Sequence, residues 1–380
     1  MPDLRTTVTE LGTALGMVPG PGLRAALERR PAALDVTERD WERLVAAARS
    51  GRFDAELAGA HANGRAFLAA ADGLRGRAPR LIEWTGGRRP PGDEVAPIDL
   101  RIDHVYLVSC KYLSRTIANA SPARVFDGLL ATTGDWDRGD WYAAVAPEEH
   151  TTLYRACRDA VGLDDLPDDP GALTVEQRRL LSRALHGRSY PPAARGAYRA
   201  LCRTVSERSA DRWRRRLGDR PAVALQQLWR LLRLGNATYF LLGSEHHRAL
   251  RLRIASPWDW QQTFRLVSLQ VNPAQAGQPQ VDWEASVRRR GDEAALTVRG
   301  HVEVRWSHGR FAQPPEAKIY LDTPGDQLPG YFPLGPPDGQ LTLFGDDATT
   351  PAGTRSTAGT RAGRTGARAG GGPVQATRLP

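Results

Sequence analysis

Residues 96–111, Ala-Pro-Ile-Asp-Leu-Arg-Ile-Asp-His-Val-Tyr-Leu-Val-Ser-Cys-Lys, constrain the fold of this chain more than any other segment. Residues 98–102 and 105–111 are short runs rich in branched apolar side chains, and Asp103-His104 between them suits a tight turn. The pattern predicts an antiparallel hairpin whose side chains alternate between faces. Ile98, Leu100 and Ile102 then share one face, Asp99 and Arg101 the other, while Val105, Leu107, Ser109 and Lys111 line up on the second strand. Asp99, Ser109 and Lys111 are thereby expected at one edge.

Around this hairpin the pattern changes in blocks. Residues 1–80 read as a helical segment, with amphipathic runs over 37–48 and 65–74 and nothing catalytic in view. Residues 81–145 hold the strands 81–84, 98–102 and 105–111, with the Gly/Pro-rich stretch 86–92 before the second, and a following helix opened by Ser121-Pro122. Residues 146–235 read as an Arg-rich helical region, interrupted at 164–171 and near Tyr190 and bounded at 218–221. Residues 236–334 read as β-rich, with strands over 238–242, 250–254, 264–271, 295–306 and 318–321. Residues 335–380 are dominated by Pro, Gly, Thr, Ala and Arg and are expected to be disordered.

With 380 residues, 41% of them hydrophobic, the chain can bury a sizeable core in two or three domains. It has no apolar run of about 18 residues and no secretory pattern at its start, so a cytoplasmic protein without a membrane partner is expected. Three widely spaced cysteines, Cys110, Cys157 and Cys202, suggest neither a disulfide framework nor structural zinc. The net charge of +9 favours a polyanionic partner, although base bias in a genome also enriches arginine. The basic charge concentrates between Arg178 and Arg220, where thirteen arginines face only Glu207, Asp211 and Asp219. Arg195, Arg199, Arg203, Arg212, Arg215 and Arg216 are the expected DNA contacts, with a solvated helix face as the plain alternative. In one straight helix Arg208, Arg212 and Arg216 would fall over the apolar face of Tyr198, Leu201, Cys202 and Val205, so the pattern calls for a break near Ser206 or an acidic partner.

Only two of the 52 basic residues are lysines, Lys111 and Lys318. Lysine differs from arginine in being a compact ammonium that can shift toward neutrality and orient or activate a water. A composition drifting toward arginine keeps lysine where that difference matters, unless the two positions escaped by chance.

The motif Pro97-x-Asp99, a hairpin, then Ser109-Cys-Lys111 resembles the PD-(D/E)xK nuclease superfamily, directly over roughly residues 81–130. The resemblance implies an α/β (α+β) restriction-endonuclease-like mixed-sheet core, with the helical N-terminal segment, Arg-rich helical insertion and β-rich C-terminal region around it. It also implies Mg²⁺ or Mn²⁺ held by Asp99, with Lys111 orienting or deprotonating the attacking water or stabilising transition-state charge. Ser109 stands where the family has a carboxylate. Glu83, on the preceding strand, and Asp127, in the helix opened by Ser121, are the two expected substitutes. Glu316-Ala-Lys318 is a second acidic-x-Lys sequence; without an aspartate-bearing hairpin before it, it reads as a DNA-contacting or structural element ahead of a catalytic one.

Gln340-Leu341-Thr-Leu343-Phe344 resembles the bacterial β sliding-clamp-binding motif Gln-Leu-x-Leu-Phe, matching each specified position. It implies that Leu341, Leu343 and Phe344 enter an apolar groove while Gln340 supplies a directional hydrogen bond. The alternative is a terminal strand packed on its own domain. Together these features lead to the expectation of a cytoplasmic, nucleoid-associated, metal-dependent DNA nuclease of repair, replication-linked processing or defence, recruited by the clamp. The rival readings are a non-catalytic DNA-binding adaptor of the clamp and a restriction endonuclease with a fortuitous clamp peptide.

Overall fold

The computed structural model describes residues 3–20, 22–86, 98–112, 116–131, 134, 136, 139–187, 189–245 and 248–335. Pro97 and the peptide 340–344 lie outside the described residues. Those described belong to a compact unit spanning Met1–Asp338.

The chain begins with helices α1 (Leu4–Met17) and α2 (Leu23–Glu28), the two-residue strand β1 (Leu34–Asp35), and helices α3 (Glu38–Arg49) and α4 (Asp54–Ala69). Thr37 caps α3 by accepting the Asp40 N–H, as its position before an acidic first turn predicts. The helix expected over 65–74 is instead α4, which starts eleven residues earlier and ends at Ala69. Strands β2 (Ile82–Trp84), β3 (Leu100–Ile102) and β4 (Tyr106–Tyr112) follow, then β5 (Thr116–Ala120) and α5 (Pro122–Phe126). Asp103 and His104 both adopt positive φ, 51° and 57°, the conformation that a two-residue hairpin needs to match strand twist.

The helical block comprises α6 (Trp141–Val145), α7 (Pro147–Ala160), α8 (Val175–Ala184), α9 (Arg195–Leu217) and α10 (Pro221–Leu231). After it come β6 (Tyr239–Glu245), β7 (Arg248–Ile254), α11 (Pro257–Thr263), β8 (Phe264–Gln275), β9 (Pro279–Arg289), β10 (Ala295–Arg305), β11 (Glu316–Leu321) and β12 (Tyr331–Pro333). This is a mixed α/β architecture with a helical N-terminal segment and a β-rich C-terminal region. Strand β9 is not among the runs named from sequence, yet Val281, Trp283, Ala285 and Val287 alternate there and are buried.

Seven strands form a mixed sheet in the order β1-β2-β3-β4-β6-β7-β12. Strands β2, β3 and β4 run as an antiparallel meander, and β6 lies parallel to β4. A parallel neighbour requires a crossover, and the helices α5–α10 lie within that connection. Helices α1, α3 and α4 contribute Leu11, Leu15, Leu44 and Phe67 to one core with Ile82, Leu100, Val108 and Phe240 of the sheet. The second sheet is antiparallel in the order β5-β11-β10-β9-β8 and shares the other core with the later helices. Strand β4 ends only four positions before β5 begins, yet the two belong to different sheets.

Helix α9 runs unbroken for 23 residues, from a short 3-10 turn at Pro192 to Gly218, which ends it with φ of 51°. Ser206, where a break was one of two expected solutions, is buried, and its Oγ accepts the Gln280 N–H at 2.9 Å. The acidic partner is the solution found: Arg212 reaches Asp127 at 3.1 Å and lies 5.0 Å from the Trp141 ring centroid, while Arg208 donates to the Val145 carbonyl. Long arginine stems carry the charge off an otherwise apolar face.

Candidate functional site

The β3–β4 register pairs Leu100 with Val108, so Asp99, one position before β3, lies beside the middle of β4. Its own N–H donates to the Val108 carbonyl at 2.9 Å. Its carboxylate Oδ2 accepts the Cys110 N–H at 2.6 Å and the Ser109 hydroxyl at 3.4 Å. Asp99 and Ser109 do meet, but the expected shared face of Ile98, Leu100 and Ile102 does not form: the ladder slips at Asp99, so Ile98 joins the core of the second sheet while Leu100 and Ile102 pack with α1. Lys111 is near enough for its charge to favour the ionised form of Asp99.

A second carboxylate near this group comes from α1, where sequence reasoning saw nothing. Glu10 is only 6% exposed and its Oε2 accepts the Trp84 indole N–H at 2.6 Å. Burial pushes the Glu10 carboxyl up to about 8, with the nearby Asp99 charge adding to the rise; the Trp84 bond and the Lys111 ammonium pull against it. Burial likewise raises Asp99, opposed in turn by the Cys110 N–H, Lys111, the Ser109 hydroxyl and Arg233. Two carboxylates of like charge in poorly solvated surroundings resist simultaneous ionisation unless a cation joins them.

Tight packing places Glu10. A Cβ at Gly16 would fall on the His61 carbonyl, and one at Gly64 on the Thr13 carbonyl, so glycine lets α1 and α4 approach closely. One turn beyond Glu10, Thr13 Oγ1 lies 2.8 Å from the Tyr112 hydroxyl, which also accepts from Asn63 Nδ2 at 3.1 Å. Asn63 in turn bonds the Gly243 carbonyl at 2.8 Å and accepts from Arg251 at 2.9 Å. These bonds tie α1, α4, β4, β6 and β7 together beside Lys111. The one signal in the sequence is that Glu10 is the only acidic residue of α1 and stands between Val8 and Leu11; its burial is set by the packing of α1.

The two substitutes expected for the missing carboxylate have other neighbours. Glu83 Oε2 lies 3.1 Å from His104 Nδ1, and Asp127, the C-cap of α5, pairs with Arg212. In the second acidic-x-Lys sequence, Glu316 Oε1 lies 3.5 Å from His308 Nε2, while Lys318 stands in register between Glu303 on β10 and Asn119 on β5. Of the arginines of α9, Arg195 donates to the Tyr190 carbonyl, Arg212 is engaged as above, and Arg199, Arg203, Arg215 and Arg216 are exposed.

Among the described residues no group of three or more His, Cys, Asp or Glu is arranged to hold a metal ion. No described helix is long and apolar enough to cross a membrane. Comparison with family models, curated proteins and solved structures finds no match to this chain.

Proposed function

We propose that this chain is a metal-dependent DNA nuclease with a restriction-endonuclease-like core, acting in repair, replication-linked processing or defence. The observation that carries the reading is the convergence of buried Glu10, bonded to Trp84, and half-buried Asp99, bonded to Ser109 and Cys110, near Lys111, one of two lysines in an arginine-rich chain. The β2-β3-β4 meander with β6 parallel to β4 supports the core assignment, since it sets Asp99 and Lys111 on adjacent strands.

The donor set fits Mg²⁺ or Mn²⁺, hard cations that bind through one or two carboxylates and take their remaining oxygens from water and substrate phosphate. When bound, such a cation polarises the phosphoryl group and acidifies a water. Glu10 takes the place left open by Ser109, and the Cys110 N–H and Ser109 hydroxyl hold the Asp99 carboxylate in one orientation. Lys111 orients or deprotonates the attacking water and faces the charge that grows on the phosphoryl oxygens. The exposed arginines of α9 attract the DNA backbone. Gln340, Leu341, Leu343 and Phe344 dock on the sliding clamp, which places the enzyme at the nucleoid in the cytoplasm.

Cleavage of single-stranded, duplex and branched DNA with and without Mg²⁺ or Mn²⁺ tests this reading. Metal-dependent cutting that disappears in Lys111→Ala and in Glu10→Gln supports it. Ser109 favours a second reading, a non-catalytic DNA-binding adaptor of the clamp, because a neutral residue stands where a third acid would complete the group. DNA binding without cutting on any substrate decides for the adaptor.

A further inference from the structure

A recess that shares no residue with the carboxylate pair opens between the first half of α9 and the turn joining β8 to β9. It encloses about 520 Å³ and is lined by Arg199, Cys202 and Arg203 of the helix and by residues 274–278 of the turn. Its walls are fixed to each other. Gln280 N–H donates to Ser206 Oγ at 2.9 Å, and Arg214 donates to the Val271 carbonyl at 2.9 Å and to Asn272 Oδ1 at 3.2 Å. Cys202 Sγ lies 3.9 Å from the Gly277 carbonyl. Gly277 holds φ of 75° with open space where a Cβ would stand, which keeps the turn narrow.

Arg199 and Arg203 are exposed, one helical turn apart, and have no carboxylate or hydrogen-bond partner among the described residues. Their neighbours are committed: Arg195 to a carbonyl, Arg214 to Asp211 and the β8 backbone, Arg212 to Asp127. Gln278 turns its amide to Glu303 at 2.6 Å. Two guanidiniums without counter-ions, about 5–6 Å apart at their Cβ atoms, present donors at the spacing of one to two phosphates of a strand. No aromatic residue lines the recess, so it offers no stacking platform for bases and its recognition is of the backbone. A concave slot of this size admits one strand, whereas a duplex presents a convex cylinder that meets only the rim.

We propose that the recess between α9 and the β8–β9 turn holds the phosphodiester backbone of an unpaired nucleic-acid strand through Arg199 and Arg203. This deepens the nuclease reading by naming the form of substrate that it grips. The test is fluorescence anisotropy of a labelled oligothymidylate with the full chain in EDTA, over a series of salt concentrations, for wild type and Arg199→Gln/Arg203→Gln. Affinity near physiological salt is expected to fall at least about 10-fold, and the slope of log K against log salt to flatten by about 1.4, near 0.7 for each lost phosphate contact. The charge-retaining Arg199→Lys/Arg203→Lys pair keeps the slope, and a duplex of equal length loses less affinity than the single strand. Unchanged affinity and slope overturn the proposal. So does loss of thymidine monophosphate binding with oligonucleotide binding intact, which makes the recess a pocket for free phosphate esters. Because binding is read without a divalent cation, a chain that grips the strand here but never cuts sinks the nuclease reading alone; one that cuts with strand binding indifferent to both arginines sinks this proposal alone.

Discussion

The indole N–H of Trp84 donates to Glu10 Oε2 at 2.6 Å, joining strand β2 to a carboxylate 74 residues earlier in the chain. That bond favours the ionised carboxylate against burial and the Asp99 charge. Trp84→Phe retains most of the apolar bulk and removes the donor, so the Glu10 carboxyl rises further. Divalent cations bind the deprotonated form. Under the nuclease reading the pH–rate profile of Trp84→Phe therefore moves to higher pH, with a rate near neutrality roughly 10-fold lower and a smaller deficit at pH 9. A uniform loss at all pH values would show that Trp84 acts only by packing.

Glu10 also makes stability depend on pH in a stated direction. Its folded value of about 8 lies above the ordinary 4.5, so the folded chain retains a proton that the unfolded chain releases. Between those two values stability falls as pH rises, by up to about 1.4 kcal/mol for each unit; below 4.5 the contribution is complete. Thermal melts in EDTA from pH 5 to pH 9 should show wild type losing stability through this window. Glu10→Gln should flatten the profile and melt higher than wild type at pH 9, while losing about 100-fold or more of metal-dependent cleavage. Equal slopes for the two proteins would place the ionised carboxylate in solvent.

The hairpin is legible over residues 100–111 because its determinants are local: alternation, a turn-forming pair, and a lysine where arginine prevails; Ile98 is not, because the ladder slips at Asp99 and turns it into the other core. The Asp99–Ser109 contact forms where the ladder slips at the entry to β3. Glu10 was not legible in the same way, because its neighbours Trp84 and Asp99 are set by how α1 packs, and periodicity marks α1 only as a helix. The continuity of α9 was half legible. Its arginine pattern demanded either a break or an acid, and Asp127, 85 positions earlier, is an acid that only tertiary structure could assign.

Asp127 and Glu10 can be separated by substitution. The Asp127–Arg212 pair is partly exposed, and Arg212 keeps its contact with the Trp141 ring when the carboxylate is removed. Asp127→Asn is expected to cost about 1 kcal/mol or less and to leave Mg²⁺-dependent cleavage within a factor of about three of wild type. A loss of cleavage as deep as that of Glu10→Gln, at unchanged melting temperature, would return Asp127 to the cation.

Removal of residues 340–344 separates a docking peptide from a structural strand. As a docking peptide, the segment contributes apolar anchors to a partner's groove and nothing to its own core. The deleted chain should melt with wild type and cleave free DNA at the wild-type rate, while losing measurable binding to the bacterial sliding clamp by surface plasmon resonance. A lowered melting temperature would identify the segment as part of the fold.

The placement of Glu10 depends on glycine in α4, and that helix contains its own control. A methyl group at Gly64 would fall on the Thr13 carbonyl, with the backbone of Gly16 also in the way, so α1 must move outward. At Gly59, in the same helix, nothing lies within 4 Å of the added methyl. Helix propensity favours alanine over glycine at both positions by about 1 kcal/mol, so any difference in sign comes from the α1–α4 approach. Gly59→Ala should stabilise by about 0.5–1 kcal/mol and leave activity unchanged. Gly64→Ala should destabilise by roughly 2 kcal/mol or more. Because the displaced helix carries Glu10, the fraction that remains folded should also bind Mn²⁺ more weakly, read by isothermal titration well below its melting temperature. A Gly64→Ala protein with wild-type affinity for Mn²⁺ would separate the helix contact from the carboxylate pair.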